Sequence, residues 1–208
     1  MKLLLASSGK SIHKLLPRIV SKPIEQFKIG WVTTASKGVD DLTYLKINKK
    51  MMEDLSWNFE EIDIEGRIPA ELRTLFIDKD IVYVEGGNTF YLLKAIKESG
   101  FDNVLKELID RSVVYVGTSA GSYVMCPTIE MSTWKPSPKP RFGLQDLTAL
   151  NYVPFLLSVH YDPKNREILK KAISNTKYPV RILTDEQALF VQDSKITLIG
   201  EGEEIKLS

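Results

Sequence analysis

The chain places a serine, Ser119, at the centre of a Gly-Thr-Ser-Ala-Gly segment that joins two apolar stretches. The residues before this segment are typical of a buried strand, and those after it are typical of a helix. A serine at such a sharp bend, between Gly117 and Gly121, matches the G-x-S-x-G pattern of a nucleophile elbow. A tight turn whose small residues serve only packing is the alternative interpretation. The pattern predicts that Ser119 attacks a carbonyl carbon.

A second glycine-containing turn has the same design. "DIVYVEGGNTFYLL" and "SVVYVGTSAGSYVM" both contain a strand, a glycine turn and a helix. Turns that follow parallel strands meet at one edge of the sheet, and neighbouring strands lie about 4.8 Å apart. If the two strands are neighbours, the backbone N–H groups of Gly86, Gly87 and Asn88 are expected close to the Ser119 hydroxyl. With the N–H of Ala120 they predict an oxyanion hole, a set of donors for the negative charge that develops on a substrate oxygen.

A serine hydroxyl becomes a good nucleophile when a neighbouring base removes its proton, and the chain has two histidines. His13 lies in a predicted N-terminal helix, where a surface position is expected. His160 ends the apolar run "FLLSVH", where the carboxyl edge of a strand would bring it near Ser119. His160 is therefore the predicted base, with a histidine hydrogen-bonded to buried backbone as the alternative.

The histidine needs an acceptor that fixes its tautomer and stabilises the imidazolium. Asp185 and Glu186 lie in a turn between two apolar strands, a position that can direct a side chain inward. Because adjacent side chains point in different directions, at most one of the two is expected to reach His160. Asp146 and Asp162 are weaker candidates, since Asp162 precedes a proline and is expected to cap the next helix.

Apolar runs alternate with helical patterns over the first half of the chain. The predicted strands are residues 2–6, 28–33, 57–63, 80–84 and 112–116. The predicted helices are residues 10–21, 42–55, 69–77 and 88–110, the last interrupted by Gly100. This alternation indicates a three-layer α/β fold, a mostly parallel central sheet with helices on both faces.

The pattern changes after residue 178. Close-set apolar runs predict four strands of antiparallel hairpins at the sheet edge: 179–184, 188–192, 195–199 and 203–207. Before them, the proline-containing stretch 132–142 predicts an irregular surface loop.

The composition is that of an ordinary globular chain, with 43% hydrophobic and 26% charged residues. The length of 208 residues predicts one domain, residues 1–208. A net charge of +1 without a basic run argues against a nucleic-acid partner. The single cysteine, Cys126, excludes an internal disulfide and is typical of a reducing, cytoplasmic location. No zinc-binding or EF-hand-like spacing occurs, so no metal or other cofactor is expected, although the composition leaves a carboxylate-based magnesium or calcium site open. The N-terminal apolar run is too short to span a bilayer, so no membrane partner is expected.

Three motifs in order carry a resemblance to a known family. "GGNTFYLLK", "GTSAGS" followed by "CPTI", and "VHYDP" resemble the peptidase E family of serine peptidases, which includes cyanophycinase. The resemblance runs from the first strand to about residue 199. It implies a class I glutamine-amidotransferase-like, or flavodoxin-like, α/β fold. It also implies a Ser–His–acid triad that cleaves short peptides, notably dipeptides beginning with aspartate.

The resemblance assigns roles to particular residues. The family's nucleophile matches Ser119 and its base matches His160. Its acid, usually a glutamate, falls on Asp185, with Glu186 one position away. The oxyanion-hole glycine matches Gly87, with Ala120 supplying the second N–H. Asn88 is implied to contact the substrate.

One departure concerns specificity. After "CPTI" the family pattern has an aspartate where this chain has Trp134, and Lys135, Lys139 and Arg141 follow. These cations could pair with an acidic substrate side chain or could lie on a solvated loop. The sequence predicts a serine peptidase of dipeptidase or exopeptidase type, monomeric or homodimeric, and leaves the preference for N-terminal aspartate open. A glutaminase using cysteine, an esterase and a non-catalytic binding protein are the alternatives.

Overall fold

A computed structural model describes residues 1–134 and 140–207. Its strands are β1 (Lys2–Ala6), β2 (Lys28–Val32), β3 (Asn58–Ile62), β4 (Ile81–Val84), β5 (Val114–Thr118), β6 (Leu156–Ser158), β7 (Val180–Ile182), β8 (Gln187–Gln192) and β9 (Lys195–Gly200). Its α-helices are α1 (Ile12–Leu15), α2 (Thr43–Asp54), α3 (Pro69–Leu75), α4 (Thr89–Ser99), α5 (Phe101–Asp110), α6 (Ala120–Tyr123) and α7 (Arg166–Asn175). Short 3-10 helices occupy Gly9–Ser11, Leu16–Arg18, Ile24–Gln26, Thr34–Gly38, Glu130–Thr133 and Pro163–Asn165.

Seven strands form one mixed sheet in the order β3-β2-β4-β5-β1-β8-β9. The first five strands of this order run parallel, and β8 and β9 join them antiparallel. Strands β4 and β5 are direct neighbours, with Val84 opposite Gly117. The two glycine-containing turns therefore leave the sheet side by side, as predicted. The prediction of an α/β fold with a mostly parallel sheet is confirmed.

The strands are apolar on both faces because the sheet separates two hydrophobic cores. Successive side chains of a strand point to opposite faces, so Leu3 and Leu5 of β1 pack in one core while Leu4 and Ala6 pack in the other. Helices α3 to α6 cover the first core, and α1 and α2 cover the second. Near-continuous apolar runs such as "IVYV" in β4 follow from this double burial.

The helix predictions hold with one exception. Gly100, in the left-handed conformation with φ of 69°, separates α4 from α5 as predicted. The helix predicted at 10–21 is instead the single turn α1 between two 3-10 helices, the second of which contains Pro17 at its start. No helix within residues 1–134 and 140–207 combines the length and apolar character that crossing a bilayer requires.

Two predictions about the C-terminal strands are wrong. Strand β7, predicted as part of an antiparallel hairpin, pairs in parallel with β6 in a separate two-stranded sheet. Residues 203–207 form no strand, and Ile205 makes only an isolated bridge with Ile182. An apolar run indicates that a segment is buried but does not identify the strand with which it pairs. Both predictions failed for this reason.

Candidate active site

Ser119 lies at the bend between β5 and α6. Its backbone has φ of 48° and ψ of −106°, a conformation that costs an ordinary residue about 1–3 kcal/mol. Three hydrogen bonds hold this conformation. The N–H of Ser119 donates to the Ala6 carbonyl at 3.1 Å, and its carbonyl accepts from the N–H groups of Ser122 and Tyr123, each at 3.0 Å. The bend is therefore fixed by the adjoining strand β1 and by the start of α6.

The two glycines around Ser119 are required by close backbone contacts. A Cβ atom on Gly121 would lie 2.1 Å from the Val84 carbonyl oxygen, and one on Gly117 would lie 2.6 Å from the Gly121 carbonyl group. Helix α6 thus begins pressed against the backbone of β4. No side chain larger than hydrogen fits at either position, which explains the glycine spacing around the serine.

Ser119, His160 and Asp185 form a hydrogen-bonded series. The Nε2 atom of His160 lies 2.9 Å from the Ser119 Oγ atom, and its Nδ1 atom lies 2.5 Å from the Asp185 Oδ1 atom. His160 follows β6 with φ of 54°, in the left-handed region. Its backbone N–H donates to the Ser7 Oγ atom at 2.7 Å. The two-stranded sheet therefore delivers the histidine to the carboxyl edge of the main sheet.

Asp185 lies in the turn between β7 and β8. The Ser7 hydroxyl donates to its Oδ1 atom at 3.2 Å, and the Ser11 hydroxyl donates to its backbone carbonyl. The hydrogen bond with His160 is the main cause that holds the pKa of the Asp185 carboxyl below its ordinary value, and it outweighs the opposing effect of partial burial. Lys10 contributes in the same direction. Asp185 is therefore a carboxylate at neutral pH.

The other three acids named from the sequence lie in different surroundings. The backbone carbonyl of Glu186 accepts from the N–H of Glu201 at 3.3 Å. Asp146 pairs with Lys97 at 2.7 Å. Asp162 accepts from the N–H of Lys164 and caps the following 3-10 helix, as the sequence predicts. The carboxylate that lies at His160 Nδ1 is that of Asp185.

The Gly86–Gly87 turn passes directly beside the serine. A Cβ atom on Gly86 would lie 3.2 Å from the Ser119 Cβ atom and 3.9 Å from its Oγ atom. Gly87 has φ of 146°, and a Cβ atom there would lie 2.3 Å from the Ala35 carbonyl oxygen. The turn therefore needs glycine at position 87, where it contacts the loop after β2, while Gly86 brings the turn close to Ser119.

The three N–H groups that were predicted near the serine hydroxyl have different environments. The N–H of Gly86 donates to the Glu85 carboxylate at 2.9 Å. The N–H of Asn88 donates to the Ala35 carbonyl at 2.9 Å. The N–H groups of Gly86 and Asn88 therefore donate to acceptors within the protein. Gly87 is the residue between these two in the turn.

Asn88 has a buried side chain. Its Oδ1 atom accepts from the N–H groups of Phe90 and Tyr91 and so caps α4, and its Nδ2 atom donates to the carbonyls of Gly38 and Pro140. The side chain, which the resemblance implies to be a substrate contact, therefore ties the glycine turn to its helix and to two neighbouring loops.

A cleft of about 580 Å³ opens beside the serine. Ser119, His160 and the Gly86–Gly87 turn border its reactive end. Val39, Tyr44 and Ile47 contribute apolar surface to its lining, and Lys10 and Asp41 contribute exposed charges. The volume is typical of sites for small molecules, which span about 300–1,000 Å³.

The residues that the sequence connects with substrate specificity do not line the cleft within the described part of the chain. Trp134 packs partly buried against the first core, and the Arg141 guanidinium lies 5.5 Å from the centre of the Phe90 ring. Lys135 and Lys139 lie outside the described residues.

Cys126 is fully buried, and this burial raises the pKa of its thiol to about 12. The Cys126 sulfur atom lies 3.9 Å from the backbone carbonyl of Ser122, so the side chain packs against α6. A buried, protonated thiol is a poor nucleophile, so the environment of Cys126 gives no support to a cysteine-dependent glutaminase.

Three residues of the site are not among those predicted from the sequence. Ser7 accepts from the backbone of His160 and donates to Asp185. Glu85 is 1% exposed and is one of the residues that line the cleft, and the Tyr44 hydroxyl donates to the Gly86 carbonyl at 3.0 Å. Ser7 and Glu85 could have been found, because each directly follows a strand, β1 or β4, at the edge where the two glycine turns emerge.

Comparison with known proteins identifies the family of this chain. The sequence profile of peptidase family S51 matches residues 3–199. The uncharacterised peptidase Lmo0363 of Listeria monocytogenes is 30% identical over 197 residues, which cover 93% of this chain and 96% of that protein. A Nostoc protein named peptidase E is 26% identical over 215 residues, covering 96% of this chain and 86% of that protein.

Solved structures agree with this match. A crystal structure from Listeria monocytogenes EGD-e, described as that of a candidate peptidase E, has a TM-score of 0.85 at 29% identity and covers 97% of this chain and 98% of that one. A peptidase from an acI-B1 actinobacterium shares the fold, with a TM-score of 0.73 at 15% identity, covering 99% and 90%. The chain is a serine-type peptidase, a hydrolase with an α/β fold. It belongs to peptidase family S51.

Proposed function

We propose that this chain hydrolyses short peptides by nucleophilic attack of Ser119 on the scissile carbonyl. The supporting observation is the hydrogen-bonded series from the Ser119 Oγ atom through His160 to Asp185, with distances of 2.9 and 2.5 Å. His160 Nε2 takes the serine proton as the C–O bond forms, and it then gives this proton to the departing amine. Water hydrolyses the resulting acyl-enzyme with the same histidine as base.

Asp185 keeps the proton of His160 on Nδ1, so that Nε2 faces the serine. It also stabilises the imidazolium that forms during attack. The lowered pKa of the Asp185 carboxyl supports this role, since the carboxylate then stays charged while the histidine changes protonation state. Ser7 adds a hydrogen bond to the carboxylate and another to the histidine backbone, and these hold the pair in register.

The N–H groups of Gly87 and Ala120 form the oxyanion hole in this proposal. Ala120 directly follows the nucleophile at the first position of α6, where helical N–H groups have no partner within the helix. The close approach of the glycine turn to Ser119 supports the role of Gly87. Loss of one such donor typically lowers turnover by about 100- to 1000-fold.

The size of the cleft supports short substrates and an exopeptidase or dipeptidase action. A dipeptide fits in a cleft of about 580 Å³, a volume typical of sites for small molecules.

A preference for an acidic N-terminal residue is the finer part of the proposal. Lys10 is an exposed cation that lines the cleft with Ser119 and His160, and its ammonium group can pair with an aspartate side chain of the substrate. Asp41 also lines the cleft, where its carboxylate accepts from the N–H of Thr43 and would disfavour a second acidic group nearby.

A dipeptide panel tests the proposal, with Asp-Xaa substrates compared with neutral Xaa-Xaa substrates of the same size. We expect the wild type to hydrolyse dipeptides and to be labelled by a fluorophosphonate probe, and Ser119→Ala to lose both properties while it keeps the thermal unfolding midpoint. A wild type that neither reacts with the probe nor cleaves any dipeptide would contradict the function.

Lys10→Met tests the preference by itself. The KM for Asp-Xaa should rise by up to about fivefold in this variant while the KM for neutral dipeptides is unaffected, because a partly exposed ion pair contributes up to about 1 kcal/mol. The matched control is Lys14→Met, which removes an exposed lysine of α1 that lies outside the cleft. Equal effects on both substrate classes would refute the assignment of Lys10.

An esterase is the second candidate, because the same series of groups cleaves esters. The panel separates the two functions if it includes acetyl esters. Hydrolysis of esters alone would replace the peptidase assignment of the site by an esterase one.

A further inference from the structure

Glu85 is a buried carboxylate directly before the glycine turn. Its side chain is 1% exposed at the end of β4. It accepts five hydrogen bonds, from the Gly86 N–H, the hydroxyls of Thr118 and Tyr83, the Asn48 amide and the Trp31 indole. Burying a carboxylate costs free energy, and hydrogen bonds to both of its oxygen atoms offset this cost.

The two oxygen atoms of Glu85 face different parts of the molecule. Oε1 accepts from the Gly86 N–H at 2.9 Å and from the Thr118 hydroxyl at 2.6 Å. These donors belong to the glycine turn and to the residue before Ser119. Oε2 accepts from three core side chains at 2.9 to 3.2 Å: Trp31, Asn48 and Tyr83. The carboxylate therefore links the turn and the nucleophile elbow to the rigid second core.

Tyr44 acts on the next peptide of the same turn. Its hydroxyl, on α2, donates to the Gly86 carbonyl at 3.0 Å. The Gly86 carbonyl and the Gly87 N–H belong to one planar trans peptide and point in opposite directions. A hydrogen bond that holds the carbonyl therefore also sets the direction of the Gly87 N–H. Glycine restricts its own dihedral angles very little, so an external contact has to supply this order.

We propose that Glu85 and Tyr44 are positioning residues that fix the two successive peptide planes of the Gly86–Gly87 turn and so aim the Gly87 N–H at the substrate oxyanion. Glu85 holds the first plane through the Gly86 N–H, and Tyr44 holds the second through the Gly86 carbonyl. This inference depends on the proposed function, because it assigns a cause to the geometry of the proposed oxyanion hole. Neither side chain needs to touch the substrate for this effect.

Tyr44→Phe is the sharpest test, since it removes one hydroxyl and keeps the ring that lines the cleft. We expect kcat on the preferred dipeptide to fall about 10- to 100-fold, part of the effect of losing an oxyanion donor, with KM changed less than threefold. Tyr91→Phe is the matched control. Tyr91 lies at the start of α4, the helix that follows the same turn, and its hydroxyl donates to Glu65. Removal of this hydroxyl should leave kcat unchanged.

The affinity for a peptide boronic acid distinguishes a positioning role from a merely structural one. Its tetrahedral adduct with the serine places an oxygen in the oxyanion hole, so its affinity reports the aim of the Gly87 N–H. Tyr44→Phe should weaken boronate binding by the same factor by which it lowers kcat/KM, because both report transition-state stabilisation. A rise in KM at constant kcat would show that Tyr44 binds substrate instead and would overturn the inference.

Glu85→Gln tests the first plane. It keeps an acceptor for the Gly86 N–H but places an amide N–H₂ among core donors, so the peptide plane should lose its alignment and kcat should fall as for Tyr44→Phe. Tyr83→Phe removes a donor to Oε2 only and should lower the unfolding midpoint without the loss in kcat. Equal loss of kcat and of stability in all three variants would refute a positioning role. A wild type inactive on every dipeptide and unreactive to the fluorophosphonate probe would instead refute the proposed function itself.

Discussion

Replacing Asp185 by asparagine isolates the contribution of one charge to catalysis. The Asp185 Oδ1 atom accepts from His160 and from the Ser7 hydroxyl, so the asparagine carbonyl can occupy the same place with both hydrogen bonds kept. What the variant then loses is the negative charge beside the imidazolium of the transition state. If instead the amide N–H₂ group faces His160, the wrong tautomer is favoured, and the loss approaches the roughly 10⁴-fold effect seen for this change in a serine-protease triad.

The size of the charge effect follows from the geometry. Two unit charges about 4 Å apart interact by about 4 kcal/mol at an effective dielectric constant of 20, which corresponds to roughly 1000-fold in rate. Both side chains are partly exposed, at 45% for His160 and 41% for Asp185, so solvent screens part of this attraction. We expect kcat/KM to fall about 100- to 1000-fold in Asp185→Asn with the amide carbonyl facing His160.

The assay is the pH dependence of dipeptide hydrolysis by Asp185→Asn, with Glu186→Gln as the matched control. Because the pKa of the Asp185 carboxyl lies below its ordinary value of about 3.9, the wild type should lose the contribution of this carboxylate only as the pH falls below about 4. The folding stability that this carboxylate contributes is likewise present above its ordinary pKa and lost as the pH falls through the lowered one. Glu186→Gln should stay within about twofold of the wild type.

Two outcomes would refute this reasoning. Activity of Asp185→Asn within threefold of the wild type at pH 7 would show that its charge is not used. A greater loss in Glu186→Gln than in Asp185→Asn would show that the neighbouring acid serves the histidine. The unfolding midpoint of each variant separates these results from misfolding.

Two further changes test the site. His160→Ala should lower kcat nearly as much as Ser119→Ala, with the double variant little worse, because members of a triad act as a unit, and multiplicative losses in kcat would argue that His160 is not the base. Iodoacetamide should leave the activity of the native protein unchanged, since Cys126 is buried with its thiol pKa raised to about 12, and the thiol should react only after unfolding. Loss of activity in step with alkylation would contradict this expectation.

Local features of the chain could be predicted because their causes lie within a few residues of each other. The serine between Gly117 and Gly121 reports a bend whose backbone contacts exclude a Cβ atom. Gly100 reports a left-handed residue between two helices. Apolar runs such as "KLLLA" report strands with both faces covered, and from these runs the parallel sheet and the adjacency of the two glycine turns could be inferred.

The antiparallel hairpin of β8 and β9 was predicted correctly, but the pairing of β7 could not be predicted, because its partner is distant in sequence. The run at 179–184 has the composition of a hairpin strand, yet β7 pairs in parallel with β6. This pairing matters for the site, since Tyr161 donates to the carbonyl of Leu183 and the end of β6 is thereby held beside the turn that contains Asp185.

Sequence alone determined that a serine lies on a strained bend at a sheet edge, near a second glycine turn, with His160 and an acid from the C-terminal region as its candidate partners. Only the tertiary structure decided which acid lies at the histidine, because Asp185 and Glu186 are adjacent and equivalent in type. It alone also showed which groups Ser7, Glu85 and Tyr44 contact at the site. Most of these hydrogen bonds join residues that are far apart along the chain, and such contacts leave no periodicity or spacing in the sequence.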